Sequence, residues 1–377
     1  MQEAWTAYTR NDWVNRKEDA TTREPYPLSQ MPLTVGPQIP ALFERYRPAI
    51  DQMLRRLVPV DESIFTRMLR YHLGWVDAAG HSAPGSTAKA LRPTLCLIAC
   101  EAVGGDWERA LPAAAGIELI HNFSLVHDDV QDGDTERRHR PTVWAIWGQA
   151  QAINAGDALF ALGELAIHQL TETGYSAEQV LYVWRLLNEA CLRLIEGQHM
   201  DLAFEQRLDI SVQDYLAMID RKTGALIESA MHIGAYLGTA DRTRMEHLRR
   251  AGAQLGRAFQ IGDDILGIWG ADTETGKPTA NDVRRHKKTF PIIYALEHAH
   301  GIDRDTLVAL STRPDIDESA VVQILQLLEH TGARTATREL AAEACTAAMT
   351  ELEAAGLPSW AMDAFAELAT FLLDRHH

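Results

Sequence analysis

Cysteine is scarce in this chain: four residues in 377, at 96, 100, 191 and 345. None forms a CxxC pair or a Cys-His cluster, which excludes a disulfide framework and a zinc ribbon. Positive charge is also short, with 36 basic against 52 acidic residues and a formal net charge of −16. A nucleic-acid binder needs a basic footprint, so that class is excluded. On its face the same deficit disfavours a phosphate-rich substrate. No run of about 18 apolar residues occurs, so no integral membrane segment is expected. The start, Met1-Gln2-Glu3-Ala4-Trp5, lacks the basic and apolar regions of a signal peptide. A reducing, cytoplasmic setting is expected. Sustained apolar–polar alternation is missing too, as are Asn-Gly and Asp-Gly hairpin signals between apolar runs.

What is there is a chain of 46% hydrophobic and 23% charged residues, too apolar for disorder. Residues 1–40 carry Pro25, Pro27, Pro32, Pro37 and Pro40 and read as a Pro-rich N-terminal extension, partly disordered, outside the main fold. From 41 to 377 the texture is helical. Apolar residues recur at spacings of three and four, as in Leu119, Phe123, Val126 and Val130, or Val180, Trp184, Leu187 and Cys191. The expectation is an all-α single domain of roughly ten helices.

The most informative segment runs from His121 to Asp132. Asp128 and Asp132 are four apart, so a helix places both carboxylates on one face, about 6 Å apart along the axis. Such a pair repels itself unless a cation sits between. Oxygen ligands of this kind suit Mg²⁺, which keeps waters and accepts phosphate oxygens as further ligands. A second apolar run leads from Phe259-Gln260 into Asp263-Asp264, about 135 residues later. Two such clusters facing each other across a cavity could hold metal ions that bridge a diphosphate. The charge deficit is then no obstacle, because metals supply the local positive charge. Basic residues flank both clusters: Lys89 and Arg92 upstream, Arg137-Arg138 after the first, then Lys222-Thr223, Lys277 and Lys287-Lys288 around the second.

These motifs, in this order, resemble the trans-isoprenyl diphosphate synthase (polyprenyl synthetase) family over roughly residues 85–295. The first aspartate-rich motif is Asp128-Asp129-Val130-Gln131-Asp132, followed by Arg137-Arg138-His139-Arg140-Pro141-Thr142. Later signatures are Asn154-Ala155-Gly156-Asp157, Gly197-Gln198 with Asp201-Leu202, Lys222-Thr223-Gly224, the second motif at 259–264, and a lysine loop, Gly276-Lys277-Pro278 through Lys287-Lys288-Thr289.

The resemblance implies an all-α isoprenoid synthase bundle around a central cavity, and a homodimer. It implies condensation of isopentenyl diphosphate with an allylic prenyl diphosphate. Asp128, Asp132 and Asp263, with Asp129 and Asp264 beside them, would carry Mg²⁺, three ions per site with substrate bound, or Mn²⁺ in its place. The allylic diphosphate would sit on Arg137, Lys222, Thr223, Gln260, Lys277 and Lys287. Isopentenyl diphosphate would sit on Lys89, Arg92, His121 and Arg138. Catalysis would rest on Asp128, Asp132, Arg137, Lys222, Asp263 and Lys277.

Two features depart from the family pattern. A third acid, expected four residues after Asp263, is Gly267. The Gly-Gly-Lys-Arg loop is Thr87-Ala88-Lys89-Ala90, without its glycines. Phe123, five residues before Asp128 and so about 7.5 Å deeper along the helix, would act as a floor for the growing chain, with the small Ser124 beside it. That pairing resembles geranylgeranyl diphosphate synthases and favours a C20 product over C15 or longer. A class I terpene cyclase and a non-catalytic regulatory subunit are the competing readings. Retention of the isopentenyl diphosphate set argues against the first, and retention of both acid clusters against the second.

Overall fold

The computed structural model describes residues 41–83, 90–205, 207–270, 279–313 and 315–374. The extension expected at 1–40, Lys89 and Lys277 lie outside these described residues. So does the loop at Thr87-Ala88.

The described chain is built of α-helices: α1 (Ala41–Leu57), α2 (Ile64–His72), α3 (Leu91–Ala102), α4 (Leu111–Asp132), α5 (Val143–Trp147), α6 (Gln149–His168), α7 (Ala177–Phe204), α8 (Val212–Ile219), α9 (Ala225–Gly238) and α10 (Arg242–Trp269), then α11 (Asn281–Arg284), α12 (Phe290–His298), α13 (Gly301–Ser311), α14 (Glu318–His330), α15 (Ala333–Ala354) and α16 (Ser359–Asp374). The helices outnumber the roughly ten expected, because short ones such as α5 and α11 carry too few turns to show a period. Side chains set the helix ends. At α7 the Ser176 hydroxyl accepts from the Gln179 amide at 3.2 Å and the Gln179 side chain accepts from the Ser176 amide at 3.0 Å. Asp241 caps α10 by accepting from the Thr243 and Arg244 amides.

Helix α4 is the centre of the bundle. Residues 112–120 are buried without a break, so every face of that stretch is covered. It packs along α6 and against α3, while α3 packs along α9 and α10 spans α9 and α15. A second core gathers Ile268 of α10, Val283 of α11, Ile292 of α12, Leu307 of α13 and Ile324 of α14. That core anchors the segment after α10 to the rest of the bundle.

Two local features go beyond what the apolar spacing says. Trp184 does not share an inward face with Val180, Leu187 and Cys191, which are buried; it lies 46% exposed on an outer stripe with Leu181, Leu192 and Ile195. A helical period marks an apolar face without saying what covers it. The chain also makes a two-stranded antiparallel ribbon, β1 (Glu136–Arg137) with β2 (Arg140–Pro141). Its two-residue turn, Arg138-His139, sits at φ +54° and +59°. That is the geometry of a tight hairpin normally marked by Asn-Gly, so the sequence signal was missing.

Candidate active site

Helix α4 ends at Gly133, in the left-handed region at φ +68°, and its last turn delivers the first acid cluster. Basic residues converge on it from three directions: Arg137, expected beside it, and Lys222 and Lys287, which the sequence set around the second cluster instead. Arg137, from the ribbon, reaches Asp129 through Nε at 2.7 Å and Asp128 through Nη2 at 3.4 Å. Lys222 lies 3.6 Å from Asp128 Oδ1 and is also paired with Asp201 of α7. Lys287 Nζ donates to Asp132 Oδ2 at 3.3 Å. Burial alone would raise the Asp128 pKa, but the charges of Lys222, Arg137 and Lys287 outweigh it and hold the group below the usual carboxylate range. Asp129 is different: it is buried at 2% exposure, and burial pushes it up to about 6 against the pull of Arg137.

Lys222 and Thr223 stand on one π-helical turn, Asp220–Gly224, between α8 and α9. Such turns cost helix geometry and mark functional positions often. A bidentate pair from Arg257 to Asp220, at 3.0 and 2.6 Å, pins its first residue. Gly197 makes the close approach of α7 possible here: a Cβ at 197 would stand 2.6 Å from Lys222 Cα and 2.8 Å from the Arg221 carbonyl carbon. Asp201, one turn further along α7, then meets the Lys222 ammonium.

The second cluster divides into unlike halves. Asp264 is buried and accepts from the Tyr215 hydroxyl at 2.6 Å, the Phe290 amide at 2.9 Å and Gln260 Nε2 at 3.0 Å. Burial pushes its pKa up to about 7 even against those three donors. Gln260 in turn accepts from the Thr223 hydroxyl at 2.5 Å, so three candidate residues form one chain. Asp263 is half-buried and its charge is felt by Arg92.

Arg92 and His121 meet directly. Arg92 Nη1 donates to His121 Nε2 at 3.1 Å. Burial and then the positive charges of Arg92 and Arg138 keep the imidazole pKa well below its ordinary value. His121 is therefore neutral at pH 7, with its proton on Nδ1. Arg92 Nε has no hydrogen-bond partner in its buried position. Arg138 lies at the ribbon turn, exposed, in the same positive group. Lys288, by contrast, is buried and donates to the His286 carbonyl at 3.3 Å.

Left-handed backbone at two successive side-chain-bearing residues is strained, by roughly 1–2 kcal/mol each. His139 is exposed, so its side chain offsets little of that cost. His139→Gly should stabilise the protein by about 0.5–1 kcal/mol, the relief of strain less the added freedom of the unfolded chain. Calorimetric melting of the two proteins checks it; an unchanged or lower transition contradicts the strain argument.

Do the acids fit a divalent cation? Asp128 Oδ1 is buried with no hydrogen-bond partner, an orphaned anionic oxygen aimed where Lys222 is its nearest cation. Among the described residues, no three acidic, imidazole or thiolate groups close around a single point. The arrangement fits oxygen-ligated ions that take part of their shell from substrate and water, as Mg²⁺ does.

A family model described as polyprenyl synthetase matches residues 74–328. The chain belongs to the polyprenyl synthetase family. It is a prenyltransferase of the trans-prenyl diphosphate synthase type, with the all-α isoprenoid synthase fold. A (2E,6E)-farnesyl diphosphate synthase of Mycobacterium tuberculosis is 36% identical over 342 residues, covering 90% of this chain and 93% of the relative. A geranylgeranyl diphosphate synthase of the same organism is 41% identical over 269 residues, covering 71% and 75%. The crystal structure of a polyprenyl synthetase from Streptomyces coelicolor A3(2) superposes with TM-score 0.81 at 39% identity, covering 88% of this chain and 99% of that one.

The sequence reading named Asp201 only as part of a signature. It also passed over Arg285, whose Nη2 donates to the Asp132 carbonyl at 2.7 Å and which pairs with Asp134. The one signal for Arg285 was its place beside the lysines at 287 and 288.

Proposed function

We propose that this synthase condenses isopentenyl diphosphate with an allylic prenyl diphosphate, head to tail, and that its main product is C20 geranylgeranyl diphosphate. The observation that carries the reading is the pair of separate cationic sites. Lys222, Arg137 and Lys287 surround Asp128 and Asp132, while Arg92, His121 and Arg138 form a second group beside Asp263. Two diphosphates need two such places; a cyclase needs one.

In this mechanism Asp128, Asp132 and Asp263 would hold Mg²⁺. The ions would supply positive charge to the departing allylic diphosphate. Lys222, Arg137 and Lys287 bind and orient the same group from the protein side, with Thr223 and Gln260 lining it. Their donors are fixed before substrate arrives, so little reorganisation is left for the reaction itself. Arg92, neutral His121 and Arg138 hold isopentenyl diphosphate with its double bond against the allylic carbon. Breaking the allylic C–O bond leaves a carbocation, the alkene attacks it, and loss of a proton to the departing diphosphate restores an alkene. Product analysis with radiolabelled isopentenyl diphosphate, Mg²⁺ and dimethylallyl, geranyl or farnesyl diphosphate tests the whole reading. Hydrocarbon from an allylic diphosphate alone, or no turnover with any primer, would overturn it.

Chain length rests on Phe123. It packs edge-to-face on Phe160 of α6 at 5.4 Å and on His127 at 5.0 Å, an aromatic barrier one to two turns below Asp128. Phe123→Ala should shift the main product at least one C5 unit longer, read by chromatography; an unchanged distribution removes Phe123 from that role. A C15 product is the second reading, favoured by the farnesyl synthase whose likeness covers more of this chain.

We further propose a homodimer through α6 and α7. Leu181, Trp184, Leu192 and Ile195 of α7, with Ile153 and Leu165 of α6, form an exposed apolar face that a second copy would cover. No helix among the described residues is long and apolar enough to cross a membrane. All four cysteines are buried and unpaired, which favours a cytoplasmic setting.

A further inference from the structure

The acid absent from position 267 leaves a space, and the space is filled. A Cβ built on Gly267 would land on the Asp282 carboxylate, 2.6 Å from its Cγ. Asp282 belongs to α11, and several contacts fix that short helix in place. Val283 enters the second core with Ile268, the residue after Gly267. Arg284 grips Glu318 of α14 at 2.8 and 2.9 Å. Arg285 holds the Asp132 carbonyl at 2.7 Å.

From this seat Asp282 links α10 to the lysine loop. Its carbonyl accepts from the Lys287 amide at 3.0 Å, and Lys287 Nζ reaches Asp132. Gly267 lies one turn after Asp263 on the same face of α10. The carboxylate resting on it therefore stands where an acid at 267 would project.

We infer that Asp282 replaces the missing acid of the second motif: seated on Gly267, it is a positioning residue that directs Lys287 toward Asp132 and completes the carboxylate set around Asp263. Gly267 is then a space-maker rather than a loss, and restoring an acid there would collide with Asp282. The inference rests on the diphosphate reading above.

The test is the Mg²⁺ concentration needed to raise the melting temperature of the protein with inorganic pyrophosphate present. In the unmodified protein, Mg²⁺ with pyrophosphate should raise the transition. Asp282→Asn keeps the side-chain size and should move the Mg²⁺ midpoint roughly 10-fold or more upward, the range for residues that orient ligands without binding them. Gly267→Ala should do the same by displacing Asp282. The exchange Gly267→Asp with Asp282→Gly should recover much of the loss. An Asp282→Asn midpoint equal to wild type overturns the inference even if Gly267→Ala fails to fold. A wild-type protein with no Mg²⁺-dependent shift and no prenyl product overturns the diphosphate reading and this inference with it.

Discussion

Replacing Gly197 by alanine should cut turnover by roughly 100-fold, although residue 197 has no side chain to offer substrate. The reason is spatial. The new Cβ would stand 2.6 Å from Lys222 Cα and 2.8 Å from the Arg221 carbonyl carbon, well inside contact distance. Backbone cannot swing aside as a lysine end can. Either α7 retreats or the π turn does, and each parts Lys222 from Asp201 and Asp128. Overpacking of this kind costs about 1–3 kcal/mol, so the melting temperature should fall by several degrees while the protein stays folded. The steady-state signature is a lower kcat as well as a raised KM for the allylic substrate, with the isopentenyl diphosphate KM little changed, because Arg92 and His121 lie on other helices. Wild-type kinetics in Gly197→Ala would show that the close approach is not needed.

The sequence exposes some parts of this candidate site and hides others for definite physical reasons. Asp128, Asp132, Lys222 and Asp263 are legible because each stands in a dense local motif whose helical spacing fixes what shares a face. Asp201 and Arg285 are harder to find, because their partners come from other elements: Asp201 meets Lys222 and Arg285 meets Asp134. Glycines are the least legible of all. Gly197 and Gly267 look like punctuation or loss in the sequence, and only the fold shows that a backbone and a carboxylate take the room they leave. The helical class was plain from the periodicity of α4 and α7. The face that Trp184 presents was not, since apolar spacing is the same for a core and for an outer stripe. The hairpin at 136–141 was hidden because its two left-handed residues are arginine and histidine rather than asparagine and glycine.

Asp128→Asn should lower turnover by about a hundred- to a thousand-fold, the loss that follows removal of one fixed electrostatic partner of a reacting group. Its oxygen Oδ1 is buried with no hydrogen-bond partner and lies 3.6 Å from the Lys222 ammonium, so it is free to accept an incoming cation. An amide of the same shape fills the volume but brings no charge to a divalent ion. Stability should respond in a different way. The Asp128 carboxyl sits below the ordinary range because Lys222, Arg137 and Lys287 outweigh its burial. A carboxylate with a depressed native pKa adds stability above its unfolded pKa, near 4, and loses it as pH falls through the native value. In metal-free protein the variant should therefore melt slightly lower than wild type at pH 7. The gap should close as the solution is acidified below about pH 4. Lys222 keeps its pairing with Asp201, so the π turn stays in place and the variant folds. The two measurements separate the roles: a large catalytic loss at pH 7 beside a small melting difference assigns Asp128 to the ions and the diphosphate. Equal turnover would remove it from the reaction, and a collapse in melting would make it a structural ion pair.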